Sequence, residues 1–506
     1  MTPPPDPAPA ALRRTVYQLL TVVAVAIALA KVVGAENVVE PSRYPPPPPG
    51  VAADRYDSTP QGTREWPAVR PAPTPMFGSN DRSRWATVRA LVENGTYVIG
   101  RRENHTAATG YTDTGIAFED GWTGIDRVMN PATGEFYSSK PPLLTTALAG
   151  EYWVLNRVFG YDIVRDRWVV VCTILVTLNV LPYAVYLVLL ARLIEDYGTT
   201  DFGRLFTFVA AAVGTFLLTF TPTLTNHSPA TYCVLFAIYP LLSRRSDPDS
   251  PRAYLTSGFF AGLATALELP AASLLVGLFV PLLVAKPVRA LTCYLPAALV
   301  PIAALLTTNY LAIGELMPAY DKFDTPWYRY PGSHWSRLGT PGAKGIDFVF
   351  EPKGVYAFHL LFGHHGWFSL TPVFVFGAVG IIWLVRPLGR SLRGLVHDRS
   401  RAPVWDMPMF AALTAAISAV VVLFYVLKTN NYGGNTAGPR WLFWLTPLWL
   451  LCGLPAADRA GRSATGRGLA AAALGLSVLS AFYPAWNPWR PPWLQQAMEV
   501  RGLVRY

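Results

Sequence analysis

The chain has little charge. Asp, Glu, Lys and Arg make up 15% of its 506 residues, whereas a soluble domain carries about a quarter. With 52% hydrophobic residues besides, the composition excludes an ordinary water-soluble domain and points to a lipid bilayer. Cysteine is scarce as well. Cys172, Cys233, Cys293 and Cys452 all fall inside apolar stretches without metal-ligand spacing, so no disulfide framework or cysteine metal cluster is expected. The sequence has no P-loop and no Gly-rich strand-to-helix turn, which leaves no nucleotide site. The formal net charge of +10 does not make a nucleic-acid surface, because the basic residues sit in short clusters between hydrophobic runs. That distribution marks the cytoplasmic side of membrane segments. A membrane is the expected partner; nucleic acid is not.

What the chain does have is apolar runs. The first, 16–34, follows Arg13 and Arg14 and is read as a retained signal anchor, although Val33-Gly34-Ala35 resembles a cleavage site. Further candidate spans are 168–193, 205–221, 229–242, 254–267, 271–285, 291–311, 367–385, 408–427, 441–454 and 469–483, several of them short for ~30 Å of hydrocarbon. The run 142–159 decides the orientation. If it crosses the membrane, the clusters around Arg204, Arg244, Arg289, Arg393 and Arg462 all turn outward, against the positive-inside rule. It is therefore read as an interfacial or re-entrant helix with Glu151 and Arg157 toward the headgroups.

The resulting expectation is an all-α polytopic membrane protein of about eleven transmembrane helices, N-terminus inside and C-terminus outside. A disordered Pro-rich cytoplasmic tail (1–14) precedes a transmembrane domain (15–485) with large outer segments at 35–167 and 313–365. An outer tail (486–506) follows, its Trp486, Trp489 and Trp493 suited to an aromatic belt. Residues 44–49 read as a polyproline linker. The expected location is the plasma (inner) membrane, with the active site on the outer face.

Two motifs bound the first outer segment. Asp81-Arg82-Ser83-Arg84-Trp85 with Val88-Arg89-Ala90-Leu91-Val92-Glu93 stands at one end, and Tyr137-Ser138-Ser139-Lys140-Pro141-Pro142-Leu143 at the other. Together they resemble the first outer loop of GT-C fold glycosyltransferases that use polyprenyl-phosphate sugars, in the aminoarabinose-transferase and protein O-mannosyltransferase branch. Gly366-Trp367-Phe368-Ser369-Leu370-Thr371-Pro372 and Gly433-Gly434-Asn435-Thr436-Ala437-Gly438-Pro439-Arg440-Trp441 also resemble that group. The likeness covers about the first third of the chain in motifs and the rest in topology. It departs in one place: the family's Asp-Glu pair is here Asp81-Arg82, which leaves Asp81 as the single carried-over carboxylate.

The resemblance implies transfer of a sugar from a polyprenyl phosphate to an outward-facing lipid, glycan or protein acceptor. Such a reaction needs a base for the acceptor proton, and Asp81 fits; the same residue also suits an N-cap of a helix starting near Arg82. Lys140 would neutralise the leaving phosphate, with Pro141-Pro142 fixing its backbone, or would snorkel at a helix start. Arg82, Arg84 and Arg440 are candidate phosphate ligands, and Tyr137 and His227 join them as substrate-binding residues. Glu268 is nearly intramembrane and so draws a functional hypothesis, with pairing to a neighbouring Arg as the alternative. Asp120 and Asp126 read as solvated loop residues. His364-His365 lacks an acidic partner at suitable spacing, so no metal ligand is named; no cofactor is assigned and a divalent metal is left open. The competing reading is a non-enzymatic transporter or lipid flippase, which would show internal repeats and mid-span polar residues.

Overall fold

The computed structural model describes residues 7–35, 73–106, 110–340, 343, 345–397, 405–429 and 431–506; the Pro-rich stretches 1–6 and 44–49 lie outside them. The protein is overwhelmingly helical. α1 (Pro7–Val33) extends back into the stretch read as a disordered tail. It is tied to the bundle at both ends: Arg13 pairs with Glu195 at 3.0 Å and Asp201 at 2.6 Å, the Tyr17 hydroxyl donates to Glu195 at 2.8 Å, and Lys31 meets the Ala485 carbonyl.

The expected apolar segments are helical. α4 (Arg167–Tyr197) runs unbroken through a π-helical turn at Val176–Val180. It is followed by α5 (Asp201–Val213), α6 (His227–Leu242), α7 (Pro251–Leu267), α8 (Ala272–Ala285) and α9 (Pro287–Ile313). Later come α10 (Lys353–Leu361), α11 (Phe374–Leu384), α12 (Met407–Lys428), α13 (Thr446–Ala460), α14 (Ala464–Phe482) and α15 (Trp493–Val500). Among the described residues six helices are long and apolar enough to cross a membrane: those over Ala10–Val33, Arg167–Tyr197, Asp201–Thr219, Pro287–Ile313, Met407–Lys428 and Ala464–Phe482. The shorter α6 and α13 lie inside the bundle, α6 against α7 and α13 against α5 and α11. Their sides are almost wholly buried, so their apolar character serves helix-on-helix packing.

Outside this bundle the segment after α1 folds into α2 (Ser79–Glu93), four short strands and α3 (Pro142–Arg157). The strands β1 (Gly100–Glu103), β2 (Thr112–Thr114), β3 (Arg127–Met129) and β4 (Glu135–Ser138) form an antiparallel sheet in the order β2-β1-β4-β3. The sheet was not anticipated in the sequence reading. Arg102 on β1 donates to both carboxylate oxygens of Asp113 on β2, at 2.6 and 2.7 Å, and to the Pro331 carbonyl at 2.9 Å. The Met129 amide donates to the Trp327 carbonyl at 3.0 Å. The two segments expected outside the membrane therefore pack on one another.

α3 begins where Pro141 and Pro142 place it, since proline suits the first helical turn. It packs one face on α2 and leaves Trp153 and Val154 exposed, as are Val158 and Phe159 just beyond its end.

Candidate active site

α2 sets the geometry. Its N-cap is Gly78, so Asp81 is the third residue of the helix and not its cap; the expected start near Arg82 is corrected to Ser79. From the third position a carboxylate points back at the free amides of the helix start, and Oδ2 of Asp81 accepts from the Gly78 amide at 3.4 Å. The same oxygen accepts from the indole Nε1 of Trp489 at 2.7 Å, while Oδ1 is buried without a partner among the described residues. Asp81 has no exposed surface. Burial pushes its carboxyl up to about 7, against the opposing pull of the Trp489 and Gly78 hydrogen bonds and of Arg84 and Arg440. Trp489, expected in an interfacial belt, instead orients this carboxylate. Nothing in its local sequence signals that contact.

Around Asp81 the cations gather. Arg84 is 2% exposed; it donates to the Asn80 side chain and, at 2.5 Å, to Oδ1 of Asn226. Burial lowers its guanidinium to about 10. Arg440 stacks on Trp489 at 4.8 Å, donates to the Gly433 carbonyl at 2.7 Å and faces Nε2 of His227 at 3.2 Å. The turn that supplies this carbonyl needs glycine: Gly433 has φ 95°, and a Cβ there would stand 2.8 Å from Nε of Arg440. Nδ1 of His227 lies against Glu268, which also accepts from Nδ2 of Asn226 at 2.7 Å. Glu268 is thus held by the mouth of α6, not by an arginine.

Lys140 is not a free cation. It pairs with Asp126 at 2.5 Å, which corrects the reading of Asp126 as a solvated loop residue; only 14% of its side chain is exposed. Burial raises the Asp126 carboxyl, but Lys140, Arg440 and a Ser79 hydrogen bond together outweigh it and the net shift is downward. Lys140 is lowered by burial, with Asp126 opposing. Arg82 is half-buried, and its only side-chain hydrogen bond among the described residues is a long one, 3.4 Å, to the Gly78 carbonyl. Electrostatic coupling links Arg82, Arg84, Lys140 and Arg440 to Asp81, Asp126 and Glu268. Arg440 couples to Asp347 as well, so four cations face four carboxylates. Tyr137 stands apart: its hydroxyl donates to Glu135 at 2.7 Å, and it lines with Lys140, Tyr97 and Asn309 a cleft of about 310 Å³.

No model of a known protein family matches the chain, and no curated protein matches it in sequence. Solved structures resemble it. The Archaeoglobus fulgidus oligosaccharyltransferase in its apo form gives a TM-score of 0.45 at 12% identity, over 97% of this chain and 60% of that one. The same archaeal enzyme in complex with an inhibitory peptide and a dolichol-phosphate gives 0.43 at 12% identity, over 98% and 60%. This chain therefore spans about 60% of the length of those structures.

A second cleft, of about 220 Å³, opens beside the cation cluster between Arg84 and Asn226 on one side and Pro141, Leu143, Leu144, Ala266 and Leu267 on the other. It joins a charged end to an apolar wall. Asp81, Asp126 and Glu268 do not gather three ligating atoms about one point; among the described residues only Glu351, His359 and His364 do so. Where a second carboxylate would follow Asp81, the site has Arg82. Asp81 stands there as a buried carboxylate with one oxygen free among the described residues, beside fixed cations.

Proposed function

We propose that the chain is an integral membrane glycosyltransferase that moves a sugar from a polyprenyl-phosphate donor to an outward-facing lipid, glycan or protein acceptor. The observation that carries this reading is Asp81: buried, with one carboxylate oxygen free among the described residues, its proton affinity tuned close to neutrality, and coupled to Arg82, Arg84 and Arg440. In the proposed step Asp81 takes the proton of the acceptor hydroxyl or amine as that atom forms its bond to the anomeric carbon. The bond from that carbon to the phosphate oxygen breaks, and the phosphate leaves with the electron pair. Arg84 and Arg440 meet the charge that develops there, as preorganised donors in a water-poor site, and Lys140, held by Asp126, adds a fixed positive charge.

The second cleft suits the donor, because an isoprenyl phosphate has a charged head and an apolar tail. The exposed Trp153 of α3, with Val158 and Phe159 just beyond its end, suits a helix lying at the headgroup level, which supports a cleft at the membrane surface. Charge placement supports the outer face of the plasma membrane for this site. Purified protein given a set of polyprenyl-phosphate sugars is expected to transfer sugar, and Asp81→Asn to lose at least about a hundredfold of that activity while binding donor as before. Normal turnover by Asp81→Asn overturns the assignment. Flux of labelled lipid or solute in proteoliposomes without any transfer would replace the reading with a transporter.

A further inference from the structure

We propose that Glu351, His359 and His364 bind one zinc-class divalent ion, and that this ion fixes the turn that presents Arg440. Glu351 stands just ahead of α10, His359 lies in its last turn and His364 in the loop that follows. Their ligand atoms lie within 4.8 Å of one another. Bringing three such atoms to the ~2.0–2.1 Å of a zinc site moves each by less than about 1 Å toward their centre. Two imidazoles and one carboxylate are a donor set that zinc takes with a fourth position open. The Tyr506 hydroxyl meets Nε2 of His364 at 2.5 Å and donates to Glu351 at 2.9 Å, so it stands beside that fourth position.

Ordinary core packing accounts poorly for this cluster. His359, His364 and His365 are three of the seven histidines in the chain, and all three are buried. The rings of His359 and His364 stack at 4.1 Å, and Nδ1 of His364 faces Nδ1 of His365 at 2.6 Å. Nδ1 of His359 is buried without a partner among the described residues, a desolvated polar atom left unmet. Buried imidazoles held for packing alone would each be met by a carboxylate or a backbone group. Here the one carboxylate is shared with the hydroxyls of Tyr432 and Tyr506 and keeps lone pairs for a metal.

The link to the site runs through Tyr432. Its ring stacks on His365 at 5.0 Å and its hydroxyl rests on Glu351. The next residue, Gly433, supplies the carbonyl that holds Arg440. Occupancy of the metal site thus immobilises the residue next to the Arg440 anchor.

The test uses the full chain in detergent, stripped with EDTA and then titrated with Zn²⁺. Expected are one zinc per chain by elemental analysis and a rise in Tm on zinc addition. Uptake should fall at least tenfold in the His359→Ala/His364→Ala double variant and in Glu351→Gln, and stay at one ion in Asp81→Asn. Co²⁺ in place of zinc should give the visible absorption of a four-coordinate nitrogen–oxygen site in the wild type. Failure of the wild type to take up stoichiometric zinc overturns the proposal. So does unchanged uptake by Glu351→Gln, which keeps the site's shape should the double variant not fold. These readouts need no sugar transfer, so the metal site stands or falls separately from the proposed reaction.

Discussion

A carboxylate with no exposed surface, one oxygen held by an indole and the other without a partner, gives up its proton only near pH 7. A base must be ionised to act, so kcat/KM should rise with pH below about 7 and level off above it, and the limb should vanish in Asp81→Asn. Trp489→Phe removes the donor that stabilises the ionised form. The limb should then move to higher pH and the rate at pH 7 should fall. The same shift acts on stability. The folded state binds the Asp81 proton more tightly than the unfolded chain does, so stability is lost as pH rises from about 4 through about 7, by at most about 4 kcal/mol. Melting curves of Asp81→Asn should lack that part of the decline; an identical pH dependence in both proteins would refute the buried-charge account. For the Asp126–Lys140 pair the argument concerns partners. Asp126→Ala strands a largely buried ammonium and should cost up to about 3 kcal/mol, whereas Asp126→Ala with Lys140→Ala should cost less than the two single changes together.

α2 is where sequence and structure part company most instructively. The motif from Asp81 to Trp85 stands out as a charged cluster beside apolar runs, and its reading as a site rests on the family resemblance. Its helix register was not legible, because Gly78 gives no capping signal and the helix begins at Ser79. The Asp81–Trp489 hydrogen bond joins residues 408 apart, and no local pattern encodes it. Gly78 carries the element's share of that contact: a Cβ there would stand 3.0 Å from the Trp489 ring. Gly78→Ala should therefore push the indole off Asp81 and lower activity about tenfold or more, with Tm changed little. Loss of folding instead of activity would assign Gly78 to stability alone. α3 was legible almost whole, since Pro141-Pro142 fixes its start and its apolar face repeats at helical spacing. The strands were not, being three or four residues each, too short for an alternating pattern to declare itself.

For the molecule as a whole, hydrophobic runs located the helices but not how many of them meet lipid. α6 and α13 lie in runs read as spans and are nevertheless mostly buried by protein, and periodicity cannot separate those two fates. Orientation rests on charge. Reading 142–159 as interfacial sends the clusters at Arg204, Arg244 and Arg462 to one side and Asp81, Lys140 and Tyr506 to the other. Cysteine labelling of whole cells tests this directly, because Cys172, Cys233 and Cys452 are buried and only Cys293 is partly exposed, which leaves a low background once Cys293 is replaced by serine. In that background Arg501→Cys, at the exposed turn that follows α15, should react with a membrane-impermeant maleimide in intact cells. Asp201→Cys, at the exposed start of α5, should react only after permeabilisation. If the two reverse, the whole bundle is inverted, because the Asp81–Trp489 hydrogen bond keeps Asp81 on the side of the C-terminal tail: the basic clusters then face outward and the site built on Asp81 opens to the cytoplasm. A donor that presents its phosphate at the outer leaflet would then have no access to it, and the proposed reaction would fail on geometry before any assay of sugar transfer.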